Sequence, residues 1–393
     1  MIHPANHIFA FTPETLTAWC ADRRMPAFRA KQILEWVYHK GVIDPAAMTS
    51  LSKLDRDMLA REMAFLSGDV VRHQSASDGT EKLLIAWDDS ESPRPHRAES
   101  DAPAPEGASV ALPIAGVSAA DDRKTTECVM IPTEDRRTAC ISSQVGCPVG
   151  CKFCASGVGG LESNLSGGRI VEQVWRMRDM MRTTEPKRAE PNELPRITNV
   201  VFMGMGEPLS NFAAVMHAVK VITSLWGHAI SARKVTISTV GLPAAIERLA
   251  AECDAPVTLA LSLHAPTDDI RRELIPWAEY STIAQLLSAC NKWFQKTGRE
   301  ITLEYTLLRG VNDKPDHAVE LSRLAKSLRA NVNLIRYNEV AGMPFQRPTD
   351  EGVRAFQTIL RDRGTNSHIR ASRGRDIAAA CGQLRYEARN AHA

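Results

Sequence analysis

Three thiols crowd into nine residues, Gly146-Cys147-Pro148-Val149-Gly150-Cys151-Lys152-Phe153-Cys154, with the spacing C-x3-C-x2-C. Three thiolates can each hold one iron of a cubane and leave the fourth iron open to another ligand. Fully ligated four-cysteine clusters carry electrons, whereas an open iron does substrate chemistry. A zinc site with Cys140 or Cys128 as fourth ligand is the alternative. Structural zinc sites usually show two paired knuckles, and no second C-x2-C exists in the chain. Nine cysteines are an odd count in 393 residues. That disfavours a secreted disulfide framework and suits a cytoplasmic protein that uses thiols for metal or catalysis.

The remaining candidates sit where strands are expected to end. One strand runs into Met203-Gly204-Met205-Gly206-Glu207, where glycines allow close backbone approach and Glu207 suits the amino group of a methionine moiety. Ser238 ends another strand, Ser262-Leu263-His264 a third, and Asn338 follows a fourth. Each alone reads as a turn or cap residue. Together they lie on one rim, the place where an α/β barrel builds its ligand site. Cys140 and Cys381 read on bare statistics as buried small hydrophobes, as do Cys20, Cys128, Cys253 and Cys290.

These groups need a scaffold, and the apolar periodicity supplies one. From about residue 138, strands at Thr138–Ser143, Asn199–Met203, Lys234–Thr239, Val257–Leu263, Ile301–Leu308 and Val332–Tyr337 alternate with helical stretches such as Pro315 to Leu328. That alternation predicts a parallel α/β architecture, an open sheet or a barrel. The first 65 residues read as a small helical unit. Phe28 to Lys40 places Ile33, Leu34, Val37 and Tyr38 on one stripe with Gly41 as a stop, and a second helix is expected over Leu51 to Met63. Glu81 to Trp87 follows the Asp78-Gly79 turn signal as a strand, and Glu127 to Ile131 is its expected hairpin partner. Residues 90–122 between them are rich in Ala, Pro and Ser without an aromatic, the composition of a disordered insertion. Thr184 to Pro195 reads as a surface loop.

Charge narrows the partners. The net charge is +2, but residues 90–122 hold six acids against Arg94 and Arg97, so the rest of the chain is more basic than the total. From Arg361 onward seven arginines face three acids, which permits a polyanionic partner as well as a solvated basic face. No apolar run of about 20 residues exists, and Met1 to Phe11 lacks the order of a signal peptide. Membrane insertion and secretion are not expected.

The C-x3-C-x2-C run with Phe153 before its third cysteine is the signature of radical S-adenosylmethionine (SAM) enzymes. The chain as a whole resembles the RlmN/Cfr family of radical-SAM RNA methyltransferases, most closely its RlmN branch. The resemblance rests on FRAKQILEWVYHK, CISSQVGCPVGCKFC, GMGEPL, TISTVGLP, LSLHAP, LIRYN and RGRDIAAACGQL. It implies a partial (β/α)6 radical-SAM barrel over 138–375, an N-terminal helical RNA-binding domain over 1–68, a β-hairpin extension over 69–137 and a C-terminal segment, 376–393. It implies that Cys147, Cys151 and Cys154 ligate a [4Fe–4S] cluster and that Gly206, Glu207, Ser238, Ser262, Leu263, His264 and Asn338 bind SAM, two molecules per turnover. By the same resemblance Cys381 carries the methyl group, Cys140 resolves the intermediate through a transient disulfide, and Glu127 accepts a proton.

The implied reaction methylates C2 of adenosine in 23S rRNA and in tRNA beside the anticodon; methylation of C8, as in the Cfr branch, is the alternative. A zinc- or cluster-bearing RNA-binding protein and a peptide-modifying radical-SAM enzyme remain as further readings. A flavodoxin or ferredoxin as electron donor, a cytoplasmic location and a monomer are expected. Ser163, Arg169, Arg336-Tyr337 and Glu339 depart from the family pattern and are expected to bear on RNA contacts rather than on the chemistry.

Overall fold

The computed structural model describes residues 1–89, 124–186 and 193–384. The insertion read at 90–122, and the middle of the loop read at 184–195, lie outside the described residues.

Helix α1 (Pro13–Asp22) starts on a capping box between Thr12 and Thr15, with Pro13 in its first turn. Helix α2 (Phe28–Leu34) does not run on in α geometry to Lys40 as its stripe predicts. It widens into a π-helical turn over Glu35–His39, and Gly41 ends it in the left-handed region at φ 67°. Any side chain at Gly41 would collide with Leu194, which lies 2.5 Å from the position of a Cβ. Helix α3 (Lys53–Glu62) is capped by Ser52.

Strands β1 (Gly68–Ser75), β2 (Glu81–Trp87), β3 (Thr125–Pro132) and β4 (Arg137–Cys140) form an antiparallel run. The expected hairpin of β2 and β3 is present, and β1 adds a strand to it. A separate two-stranded pair, β5 (Gln144–Gly146) and β6 (Leu161–Asn164), flanks the cysteine loop. Then come α4 (Gly167–Thr184), β7 (Asn199–Phe202), α5 (Phe212–Thr223), β8 (Val235–Thr239), α6 (Pro243–Glu252), β9 (Thr258–Ser262), α7 (Asp268–Leu274), α8 (Ile283–Thr297), β10 (Ile301–Leu307), α9 (Pro315–Lys326), β11 (Ala330–Arg336), α10 (Asp350–Asp362) and β12 (Ser367–Arg370).

The ten-stranded sheet has the order β1-β2-β3-β4-β7-β8-β9-β10-β11-β12, parallel from β4 onward. The six expected barrel strands are all there, and β12 extends the parallel series. This is a partial barrel. Strands β8, β9 and β10 are buried along nearly their whole length, as parallel strands covered by helices must be. The helices cover them with apolar faces, for example Ile283, Leu286, Cys290 and Trp293 on α8.

One continuous apolar core runs from the N-terminal helices into the barrel. Helix α4 is the seam. Trp175 donates its indole N–H to Val37 O at 2.9 Å, Arg178 reaches Tyr38 O at 2.9 Å, and Glu172 lies 3.2 Å from His7. Arg169 belongs to the same seam. It is fully buried, donates to Ser67 Oγ at 3.2 Å and to Asp88 O, and packs 5.5 Å from the Trp87 ring. The sequence comparison expected it to bear on RNA contacts. Its burial makes it part of the core instead, where a guanidinium is tolerated because backbone and ring partners replace water.

Candidate active site at the C-terminal ends of the barrel strands

A cavity of about 160 Å³ opens where the parallel strands end. Its floor and walls include Cys147, Cys151 and Cys154 from the β5–β6 loop, Gly206 and Glu207 after β7, Ser238 on β8, and Ser262 and His264 at the end of β9. Cys381 and Gly382 close it from the C-terminal segment.

Backbone geometry explains why the Met203–Glu207 turn is glycine-rich. A Cβ on Gly204 would stand 2.7 Å from Ile141 O, and Gly206 sits at φ 102° with Gln144 Cβ 2.7 Å from the same point. The Glu207 N–H donates to Gln144 Oε1 at 2.8 Å, and its carboxylate accepts from Leu209 N–H at 2.9 Å and Val240 N–H at 2.8 Å. Burial pushes the Glu207 pKa up, while those two N–H groups and Thr239 pull it back. The turn therefore delivers one oriented carboxylate to the cavity wall. Ser238 and Ser262 stand beside each other with their hydroxyls 3.2 Å apart.

His264 occupies the left-handed region at φ 56°. Its Nδ1 accepts the Thr306 N–H at 3.0 Å, and its ring meets Phe153 edge-on at 5.1 Å between centroids. Burial, with the Arg271 guanidinium as a second cause, depresses its pKa to about 3, so the ring is neutral at physiological pH.

The three loop cysteines share one electrostatic situation. Burial pushes Cys147 up to about 12 and raises Cys151 and Cys154; Cys151 also feels both of the others as like charges, Cys147 feels Cys154, and Cys154 feels Cys381. Arg271 is the cation that acts on them, through Cys151. Three half-buried thiols gathered on one loop suit a polynuclear cationic group that takes each sulfur on a different metal atom. No three such side chains among the described residues converge on one point as a single ion requires. The donor set fits a [4Fe–4S] cluster held by Cys147, Cys151 and Cys154.

Cys140 and Cys381 come near each other, one from β4 inside the sheet and the other from the segment after β12. Cys140, at the end of β4, is buried in a small cluster with Val129, Met205, Ala379 and Leu384, so the C-terminal segment lies over it. Burial, then the Cys381 thiol, push Cys140 up to about 12, and Arg370 opposes them. Both sulfurs are free thiols, and Cys381 is exposed. The Ala155 N–H, next to Cys154, donates to Gly382 O at 2.8 Å and ties the segment to the cysteine loop.

Besides Cys140, three expected site residues lie off the cavity wall. Leu263 is core, with its N–H on Glu304 O at 3.1 Å. Asn338 is buried and donates to Cys381 O at 3.2 Å, so it holds the thiol-bearing segment. Glu127 is buried on β3 and paired with Lys82 at 3.0 Å.

Other residues on the wall were not anticipated. Glu304 accepts from Asn333 at 3.0 Å and faces Arg370 at 3.4 Å. An acid in the middle of the apolar strand ITLEYTL is the signal that marks it. Burial works against the Arg370 cation, yet Glu304 and the thiols Cys381 and Cys140 keep its pKa raised. Tyr337 also lines the cavity, so one of the positions that depart from the family pattern touches the pocket.

Comparison with known proteins shows the family and the fold. Residues 141–322 match the Radical SAM superfamily, and residues 6–65 match the ribosomal RNA large subunit methyltransferase N-terminal domain. A probable dual-specificity RNA methyltransferase RlmN of Thermosynechococcus vestitus is 40% identical over 94% of this chain and 95% of its own. The dual-specificity RNA methyltransferase RlmN of Bdellovibrio bacteriovorus is 38% identical over 97% of this chain and 84% of its own. A radical SAM methyltransferase from Sphaerobacter thermophilus superposes with a TM-score of 0.83 at 38% identity, covering 97% of this chain and all of that one.

Proposed function

The chain belongs to the RlmN family of radical-SAM RNA methyltransferases, and on that premise we propose that it methylates C2 of adenosine in 23S rRNA and in tRNA. Relatives described as dual-specificity RNA methyltransferases support two RNA classes. The observation that carries the reading is the convergence of Cys381 with the Cys147, Cys151 and Cys154 loop on one cavity, with Cys140 beneath the same segment.

When bound, a [4Fe–4S] cluster and two SAM molecules per turnover supply a methyl group for a thiol and the one-electron chemistry that an unreactive aromatic carbon requires. Cys147, Cys151 and Cys154 hold the cluster. Glu207, Ser238, Ser262 and His264 face SAM, with Glu207 for its amino group. The Cys381 thiol receives the methyl carbon and presents it to the adenine. Glu127, held by Lys82, accepts the ring proton. The Cys140 thiolate then attacks the Cys381 sulfur, the sulfur–carbon bond breaks with its electron pair going to the product carbon, which takes a proton to complete the methyl group, and the S–S bond that forms is reduced before the next cycle.

Burial and the Cys381 thiol hold the Cys140 pKa up at about 12 against Arg370, so attack as the thiolate requires that this burial be relieved. A flavodoxin- or ferredoxin-type donor, monomeric action and a cytoplasmic setting complete the proposal. No described helix is long and apolar enough to cross a membrane.

The test is anaerobic reaction of cluster-loaded protein with SAM, reductant and separate 23S rRNA and tRNA, followed by nucleoside mass spectrometry. 2-Methyladenosine in both RNAs is expected. 8-Methyladenosine in rRNA alone would move the assignment to the Cfr branch, and no methylated adenosine despite SAM cleavage would refute the substrate.

A further inference from the structure

The segment that follows β12, at one end of the ten-stranded sheet, reaches the β1–β2 turn at the other. The chain leaves β12 at Arg370 and crosses to the turn between β1 and β2. There Asp78 Oδ2 accepts the Gly374 N–H at 3.1 Å and lies 3.9 Å from the Arg373 guanidinium. Its other oxygen accepts the Thr80 N–H at 3.0 Å, which fixes the carboxylate within its own turn. In return Asp376 Oδ2 accepts the Ser77 N–H at 2.8 Å. The fit leaves no room for a side chain at Gly374. Gly374 has φ 63°, and a Cβ there would stand 2.8 Å from Ala379 Cβ and 2.9 Å from Thr80 Cγ2.

Lys82, buried near the start of β2, adds a third tie. Its Nζ donates to Ala378 O at 3.3 Å while holding Glu127 at 3.0 Å. Ala378 itself has φ 47°, a conformation that a residue with a Cβ adopts only when its surroundings hold it there. Register puts Lys82 opposite Val129, and Val129 opposite Cys140, so all three stand on one face of the sheet. The barrel holds the segment on its other side, through Asn338 to Cys381 O, Ala155 to Gly382 O, and Gln383 to Glu339 O at 3.0 Å.

We propose that the β1–β2 turn is a docking clasp for the segment that carries Cys381, with Asp78 and Lys82 as positioning residues that hold its thiol within reach of Cys140. This rests on the reading that Cys140 and Cys381 pair as a disulfide. The barrel-side ties set the segment over the cysteine loop. The clasp-side ties set its depth toward β4, and Lys82 couples that depth to Glu127.

The test is the thiol–disulfide equilibrium of the pair in cluster-loaded protein whose Cys381 is unmethylated by mass. The protein is equilibrated anaerobically over a series of glutathione ratios, quenched in acid, alkylated and read by peptide mass spectrometry. Cys140 and Cys381 lose two protons and two electrons to oxidised glutathione, which leaves as two reduced molecules, and the equilibrium constant is the effective concentration of one thiol at the other. Asp78→Ala is expected to lower that concentration about tenfold, about 1.4 kcal/mol. Asp78→Asn keeps an acceptor for Gly374 but not the charge facing Arg373, and falls between. Asp376→Ala, which frees Ser77, falls as Asp78→Ala does, and Glu252→Ala on the exposed end of α6 leaves the constant unchanged.

Iron content stays that of the unaltered chain in every variant, and its loss with Asp78→Ala would mark the turn as merely structural and overturn the proposal. An unchanged constant in Asp78→Ala and Asp376→Ala would also overturn the clasp. Absence of the disulfide in the unaltered chain at every ratio would overturn the cysteine pairing beneath it.

Discussion

Replacing His264 by Asn tests the electrostatics of the cavity wall directly. Asn tolerates the left-handed backbone that His264 occupies at φ 56°, and its Oδ1 can take over the Thr306 N–H from Nδ1. The substitution therefore removes a titrating ring and little else beyond the edge-on contact with Phe153, worth about 0.5–1.5 kcal/mol. The ring's pKa falls from 6.5 to about 3 on folding, chiefly through burial. The folded chain refuses a proton that the unfolded chain accepts, so the ring's contribution is complete above pH 6.5 and is lost progressively as the pH falls toward 3. At pH 5 that loss amounts to about 2 kcal/mol.

Urea unfolding of both chains at pH 7.5 and pH 5.0 isolates the ring, because every other group titrates alike in the two. The unaltered chain is the more stable at pH 7.5, and its advantage shrinks by about 2 kcal/mol at pH 5.0 until the order is level or reversed. A change in that difference below about 0.5 kcal/mol, the scatter expected of independent effects, would refute the account of His264 as a buried neutral ring.

Cys154→Ala should abolish iron retention after reconstitution, whereas Cys381→Ala should keep the iron and lose methyl transfer; iron assays on the two variants giving the reverse pattern would undo both assignments. Glu207→Gln turns an amide NH2 toward either the Leu209 or the Val240 N–H and leaves that donor unpaired, so urea unfolding should show a chain about 1–3 kcal/mol less stable, and unchanged stability would contradict the role of the turn. Burial alone would raise the Glu172 carboxyl, but Arg176 at 2.7 Å, His7 and Ser67 hold it at about 2, so its contribution is full above 4.5 and fades as the pH falls toward 2. Glu172→Gln should cost about 3–5 kcal/mol at neutral pH and lower the thermal midpoint. A midpoint equal to that of the unaltered chain would show that the seam between N-terminal helices and barrel does not depend on this charge.

What the sequence disclosed follows the range over which each signal acts. The cysteine run, the glycine turn before Glu207 and the strand ends at Ser238 and Ser262 are local, and spacing alone puts them on one rim. The barrel strands are legible because burial on both faces makes them continuous apolar runs. Strand β12 is not, since Ser367-His368-Ile369-Arg370 is short and half polar, and it becomes a strand only by pairing with β11. Lys82 reads as an exposed strand residue until a segment nearly 300 positions later crosses over it. Arg169 reads as a surface departure because sequence carries no sign of the Ser67, Asp88 and Trp87 groups that receive it. Cys140 and Cys381 lie 241 residues apart, and resemblance rather than any local pattern pairs them. The π-helical turn at Glu35–His39 leaves the apolar stripe intact, so periodicity does not reveal it.

The ties between the C-terminal segment and the β1–β2 turn join residues 296 to 299 positions apart, among the most distant contacts in the chain. Contacts of that separation carry the greatest loop-closure entropy and give little until both partners are in place. Docking of the Cys381 segment on the β1–β2 turn is therefore expected to follow formation of the barrel. Partial unfolding runs the same path backwards and releases first a segment held by a few side chains rather than by a strand ladder. Mild heat or denaturant should thus silence methyl transfer by releasing the Cys381 segment well before the barrel loses its shape.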